Sequence, residues 1–163
     1  MAAANTYTPI FTTTLSSTAS SVTFSSIPST YTDLILVCNP LSTSGDTYIQ
    51  FNGDTGTNYS ETNLYANTSA AGSTRTTSSN YIYLDWQATS TTTGATNYIV
   101  HIMNYSNTTT YKTTLGRGNQ ASAGVDAIVG LWRSTSAINS IKITAVGTLQ
   151  IGTTYSLYGI TAA

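Results

Sequence analysis

Tyr81-Ile82-Tyr83-Leu84-Asp85-Trp86 alternates residue by residue. Ile82, Leu84 and Trp86 fall on one side of an extended chain, and Tyr81, Tyr83 and Asp85 fall on the other. This period of two predicts a half-buried β-strand with a tyrosine-bearing outer face. Ser140-Ile141-Lys142-Ile143-Thr144 repeats the logic, with the isoleucines inward and Lys142 outward. Leu34-Ile35-Leu36-Val37-Cys38 is apolar on both faces, which predicts a strand inside a sheet and makes Cys38 a small core residue closed to thiol reagents.

Working outward from these, strands are expected near Thr8–Leu15, Val22–Phe24, Leu34–Cys38, Tyr48–Phe51, Tyr59–Tyr65 and Tyr81–Trp86. Five more are expected near Tyr98–Met103, Thr110–Leu115, Ala127–Trp132, Ser140–Val146 and Tyr155–Ile160. Asn52-Gly53-Asp54 carries the chemistry of a tight turn, and Pro28 interrupts pairing because it lacks the ladder N–H. Gly94 and Gly116-Arg117-Gly118 read as further turns, and Ala66–Ser79 and Ala88–Ala95 as long polar loops. No segment keeps a helical apolar period over three turns; a short helix is expected at most within Asn119–Ala127.

Eleven strands with several long connections predict an all-β fold: a single-domain, two-sheet antiparallel β-sandwich, jelly-roll-like. Residues 1–10 read as an N-terminal arm or edge strand and residues 11–163 as the sandwich domain. A chain of 163 residues buries enough surface for one core without staples.

Serine and threonine make up about one third of the chain, yet only 7% of it is charged, against roughly 25% in ordinary soluble domains. Hydroxyl groups therefore carry the polar surface. The 12 Tyr and 2 Trp give a core-forming content that disordered Ser/Thr-rich chains lack. Formal net charge is −1, and Arg75, Lys112, Arg117, Arg133 and Lys142 are well spread. Phosphate binding needs clustered cations, so no nucleic-acid partner is expected. No apolar run approaches the roughly 20 residues of a membrane span, so no membrane partner is expected either. Met1–Thr6 lacks the basic start and apolar run of a signal peptide.

The residue types that carry chemistry are scarce. His101 is the only histidine and Cys38 the only cysteine, so a zinc site of His and Cys ligands cannot be built and no disulfide forms within the chain. Asn52, Asp54, Asn58 and Glu61 miss the spacing of a calcium loop. A serine triad would need His101 as its base, and the chain has no Gly-x-Ser-x-Gly elbow. Glycoside hydrolysis needs only two carboxylates, and Asp33, Asp46, Asp54, Glu61, Asp85 and Asp126 are the candidates, Glu61 and Asp85 lying on expected strands. The expectation is no enzyme, no catalytic or metal-binding residue and no cofactor. What remains is recognition by surface, for which tyrosine is well suited.

Val22-Thr23-Phe24-Ser25-Ser26-Ile27-Pro28-Ser29-Thr30-Tyr31-Thr32-Asp33-Leu34 resembles a segment of small β-sandwich virion proteins of tailed bacteriophages, with the pattern F-x-x-I-P-x-x-Y-x-D-L. Tyr48-Ile49-Gln50-Phe51-Asn52-Gly53-Asp54 and Tyr155-Ser156-Leu157-Tyr158-Gly159-Ile160 look similar too. The resemblance implies a virion structural protein, made in the bacterial host cytoplasm and carried on the outer surface of the particle. It implies capsid decoration (a cement protein), with the major capsid protein and copies of itself, as a homotrimer, for partners. The alternative is a receptor-binding or tail-fibre module that touches host glycan. The interface candidates are Tyr7, Ile10 and Phe11 of the N-terminal segment, and Tyr81 and Tyr83.

Overall fold

The computed structural model describes residues 6–94 and 96–161, so residues 1–5 of the expected arm, Ala95, and residues 162–163 lie outside the described residues. Twelve strands follow one another among the described residues. The first six are β1 (Tyr7–Thr14), β2 (Ala19–Phe24), β3 (Asp33–Asn39), β4 (Thr47–Phe51), β5 (Tyr59–Asn67) and β6 (Ala71–Ser79). The others are β7 (Ile82–Tyr83), β8 (Asn97–Met103), β9 (Lys112–Gln120), β10 (Gly124–Trp132), β11 (Ile141–Leu149) and β12 (Thr154–Ile160).

They form two antiparallel sheets. The larger has eight strands in the order β1-β12-β3-β8-β9-β10-β5-β6, and the smaller has four in the order β2-β11-β4-β7. Set aside the hairpin extensions β5–β6 and β9–β10, and the pairing is nested. β1 pairs with β12, β2 with β11, β3 with β8 and β4 with β7. The core is one cluster drawn from both sheets, with Leu34, Leu36, Val100, Ile102 and Leu157 of the large sheet meeting Ile49, Phe51, Ile141 and Ile143 of the small one.

The segment Val22–Leu34 has a packing reason for most of its letters. Phe24 stacks on Phe11 with centroids 5.3 Å apart, joining β2 to β1. Ile27 is buried, and the Pro28 carbonyl accepts the Tyr105 hydroxyl. The Tyr31 ring lies over Gly159, where an added Cβ would sit 2.3 Å from it, so the two ends of the resemblance meet in space. Asp33 accepts from His101 Nε2 at 3.0 Å and from the Asn104 N–H at 2.7 Å.

Asn52 and Gly53 both have positive φ, at 54° and 69°, in the expected turn. That turn carries the chain from the small sheet into the large one, and the Asn52 side chain ties it to Ala137, Asn139 and Ser140.

Four expectations need correction. Much of the expected loop Ala66–Ser79 is strand β6, paired in register with β5; as an edge strand with no buried face it needs no apolar period. Gly116-Arg117-Gly118 is the middle of β9 rather than a turn, because Gly118 makes room for Tyr98, whose ring would lie 2.5 Å from a Cβ there. The segment Asn119–Ala127 holds no helix; a turn at 121–123 links β9 to β10. The strand expected over Tyr81–Trp86 pairs only at Ile82–Tyr83, and Asp85 is fully buried instead of facing out. The carboxylates described next explain that departure.

Candidate functional site

Three buried carboxylates hold the segment that follows β7. Glu61 of β5 accepts the Tyr83 N–H at 2.6 Å. Asp126 of β10 accepts the N–H groups of Trp86, Gln87 and Ala88 at 3.0, 2.9 and 2.8 Å. Asp85 accepts the Thr47 N–H at 2.6 Å and meets the Tyr98 hydroxyl. Backbone amides that have no strand partner are thus satisfied by side chains, as burial demands.

Tyr98 also meets the Ala88 carbonyl at 2.8 Å. One phenolic proton serves only one of those two oxygens, so the Asp85 carboxyl supplies the other. Burial lifts Asp85 to about 8, with Asp46 and Asp126 adding to the lift and the Tyr98 and Thr47 hydrogen bonds opposing it. Burial likewise lifts Glu61 to about 7 against the pull of the Tyr83 N–H. The carboxylates whose charge Asp85 feels are Asp46 and Asp126. These acids are acceptors for backbone, and no group of three or more His, Cys, Asp or Glu among the described residues is placed to hold a metal ion.

The outer face of the large sheet is different in kind. Strand register aligns Val37, Ile99, Arg117, Ala127 and Leu64 in one row across β3, β8, β9, β10 and β5. A second row aligns Tyr158, Ile35, His101, Leu115 and Val129 across β12 to β10. Leu64, Leu115 and Val129 are 59%, 50% and 52% exposed. A groove of about 500 Å³ runs along this face, lined by Ile35, Val37, Ile99, Leu115 and Ala127 with Tyr7, His101 and Arg117. A second depression of about 270 Å³ lies beside Val129, Leu131 and Arg75. Solvated faces of antiparallel sheets normally alternate to polar residues; in a chain one third Ser and Thr, aliphatic rows here stand out against the composition.

Charge is also sorted. None of the six acidic side chains is exposed, whereas Arg75, Arg117 and Lys142 are. The one ion pair among the described residues joins His101 to Asp33 at the edge of the groove. Arg117 stands in the middle of the aliphatic rows with no hydrogen bond or ion pair from its side chain to any of the described residues.

The interface candidates from the sequence separate into three places. Tyr7 is exposed on edge strand β1, lines the groove and meets Tyr158 edge-on at 6.4 Å. Ile10 and Phe11 are half-buried and pack against the core. Tyr81 and Tyr83 belong to a cluster at the edge of the small sheet. Tyr48 stacks on Tyr81 at 4.3 Å, Tyr81 meets Tyr83 at 4.9 Å, and Tyr83 meets Trp86 at 5.0 Å. The two hydroxyls of Tyr81 and Tyr83 hydrogen-bond at 3.0 Å, so these rings are occupied largely with one another. Sequence reasoning missed Leu115, Arg117 and Val129, because Leu115 and Arg117 lie among Thr and Gly, Val129 lies inside the apolar run Ala127–Trp132, and only the cross-strand register collects them.

No family model, curated protein or solved structure matches the chain.

Proposed function

We propose that this chain is a non-enzymatic structural protein of a virion, a decoration (cement) protein that docks on the outside of a capsid shell by one face of its large sheet. The observation that carries the reading is the breadth of the aliphatic rows. From β3 to β5 they cross four inter-strand intervals, about 19 Å at roughly 4.8 Å each. That is the scale of a protein–protein patch rather than of a small-molecule cleft. The phage-like segment at Val22–Leu34 supplies the biological setting.

The fold in this reading is a jelly-roll sandwich. Its support is the nested pairing of β1 with β12, β2 with β11, β3 with β8 and β4 with β7. The mechanism is passive: a preformed, nearly uncharged domain buries apolar surface on the shell and on its own copies, as a homotrimer, and so holds neighbouring subunits together. A tail-fibre or receptor-binding module that stacks host glycan is the second reading, favoured by the Tyr48, Tyr81, Tyr83 and Trp86 cluster. The mutual packing of those rings leaves it behind the first.

Cryo-electron microscopy of the intact particle tests the proposal. The expected result is many symmetric copies on the outer shell, with the large sheet against the capsid. A few copies at the tail, together with binding on a glycan array, overturn it.

A further inference from the structure

The groove on the large sheet holds a cation, Arg117, that no group among the described residues neutralises. Arg117 lies between Ile99 and Ala127 in its cross-strand row, with Leu115 beside it on β9. Aliphatic surface around a single guanidinium is the composition of an interface hot spot, where arginine is enriched and a surrounding ring of contacts excludes water. A guanidinium covered by a partner needs a carboxylate from that partner, because leaving it desolvated and unpaired costs more than the contact returns.

A second copy of this chain is poorly equipped to provide one. Glu61, Asp85 and Asp126 are buried, Asp33 is paired with His101, and Asp54 accepts from Trp132 Nε1 and Asn58. Among the described residues only half-buried Asp46 remains. Edge pairing of two copies through β6 fares no better, since Arg75 is the middle residue of that strand and would face itself across a symmetric antiparallel pair.

We propose that the groove binds a segment of a different protein that presents an aliphatic side chain and a carboxylate on one face, with Arg117 pairing the carboxylate. This rests on the docking face proposed above and names the chemistry of its partner: under that reading, an acidic, aliphatic segment of the shell protein.

The probe is a synthetic peptide of repeated Leu-Ser-Asp-Ser, in which Leu and Asp share one face when extended. Its counterpart replaces Asp by Asn. Binding is followed by the methyl resonances of Ile99, Leu115 and Val129. The Asp peptide is expected to shift all three, to bind about tenfold more tightly than the Asn peptide, and to lose that advantage in Arg117→Gln or at high salt. Lys142→Gln removes the same charge from the outward side of β11 in the small sheet and is expected to change binding little. Equal binding of the two peptides, unchanged binding by Arg117→Gln, or no methyl shift at millimolar peptide overturns the inference. So does a dimer in sedimentation that Arg117→Gln or Asp46→Asn abolishes. The two levels fail separately. If Arg117→Gln decorates particles as wild type does, the acidic partner is wrong and the decoration role stands. Wild-type protein absent from the capsid, with the peptide results intact, leaves the site and removes the role.

Discussion

The two halves of the large sheet are built on opposite plans. In β12, β3 and β8 the inward side chains are Tyr155, Leu157, Leu34, Leu36, Cys38, Tyr98, Val100 and Ile102, an apolar layer over the small sheet. In β9 the inward positions are Lys112, Thr114, Gly116, Gly118 and Gln120, with no large apolar residue among them. Neighbouring β10 and β5 add the polar Asp126, Glu61 and Asn63 to the same interior beside the apolar Ile128, Trp132 and Tyr59. Outside, the aliphatic residues of the extension strands include Leu64, Leu115, Val125 and Val129. The first half is held by burial of apolar surface alone, the second by a smaller apolar share together with hydrogen bonds to carboxylates, and its outward aliphatic side chains are exposed. The four-stranded sheet explains the split. Its order ends at β7, two residues long, and the interior of the extension is closed by the segment that Asp126 and Asp85 hold.

The comparison breaks most visibly in the apolar half. Leu36 is fully buried in the middle of β3. Leu36→Ala removes three heavy atoms from a packed site and is expected to cost about 4 kcal/mol, read as a lower urea midpoint at unchanged m-value. A loss below about 1 kcal/mol would mean that this half is not the main source of stability.

In the polar half the corresponding test is Asp126→Ala. It leaves the N–H groups of Trp86, Gln87 and Ala88 without their acceptor, and the expected loss is about 3 kcal/mol. Hydrogen exchange should locate it, with those three amides losing protection before the amides of β3 do. Uniform loss of protection across both halves would contradict the division.

Acidity separates the halves without any mutation. Asp85 and Glu61 are held neutral to about 8 and about 7 in the folded chain, while in the unfolded chain they ionise near 3.8 and 4.5. Folding therefore takes up protons between these values. As far as these groups are concerned, stability is expected to be greatest at and below about pH 4 and to fall as pH rises toward 8, with a drop in Tm on the order of 5 °C. Asp85→Asn should flatten much of that slope. An amide accepts the Thr47 N–H and donates to Tyr98, whose own proton then serves the Ala88 carbonyl. A Tm that rises from pH 5 to pH 8, or a slope untouched by Asp85→Asn, would place the buried protons elsewhere.

The same contrast decides what was legible in the sequence. Leu34–Cys38 and Ile141–Ile143 could be read because their apolar residues do what a strand's apolar residues usually do: they face the core. Cys38 enclosed in the core was readable for the same reason. Strand β9 was not. Its buried face is Lys, Thr, Gly and Gln, and its one large aliphatic residue, Leu115, points to solvent, so its letters imitate a glycine turn. Strand β6 is Ser and Thr on both sides and imitates a loop. Asp85 alternates with Leu84 and Trp86 in the sequence, but the chain leaves the sheet after Tyr83 and the alternation no longer assigns a face. The candidate site was hidden more deeply still, because its rows run across strands and no single segment contains more than two of its members side by side on one face.

The smallest expected effect on stability separates docking from folding. Leu115 is half exposed and opposite Val129 across the β9–β10 ladder, outside the core cluster. Leu115→Asn keeps the residue's size and is expected to change folding stability by less than about 0.5 kcal/mol, as surface substitutions usually do. It should nonetheless weaken association at the groove, where an amide would be buried without a partner. Paired measurement of urea midpoint and peptide binding on this one variant gives the sharpest form of the comparison. Loss of binding at constant stability identifies the aliphatic rows as a surface for another molecule. Loss of stability with binding intact would make them part of this chain's own architecture.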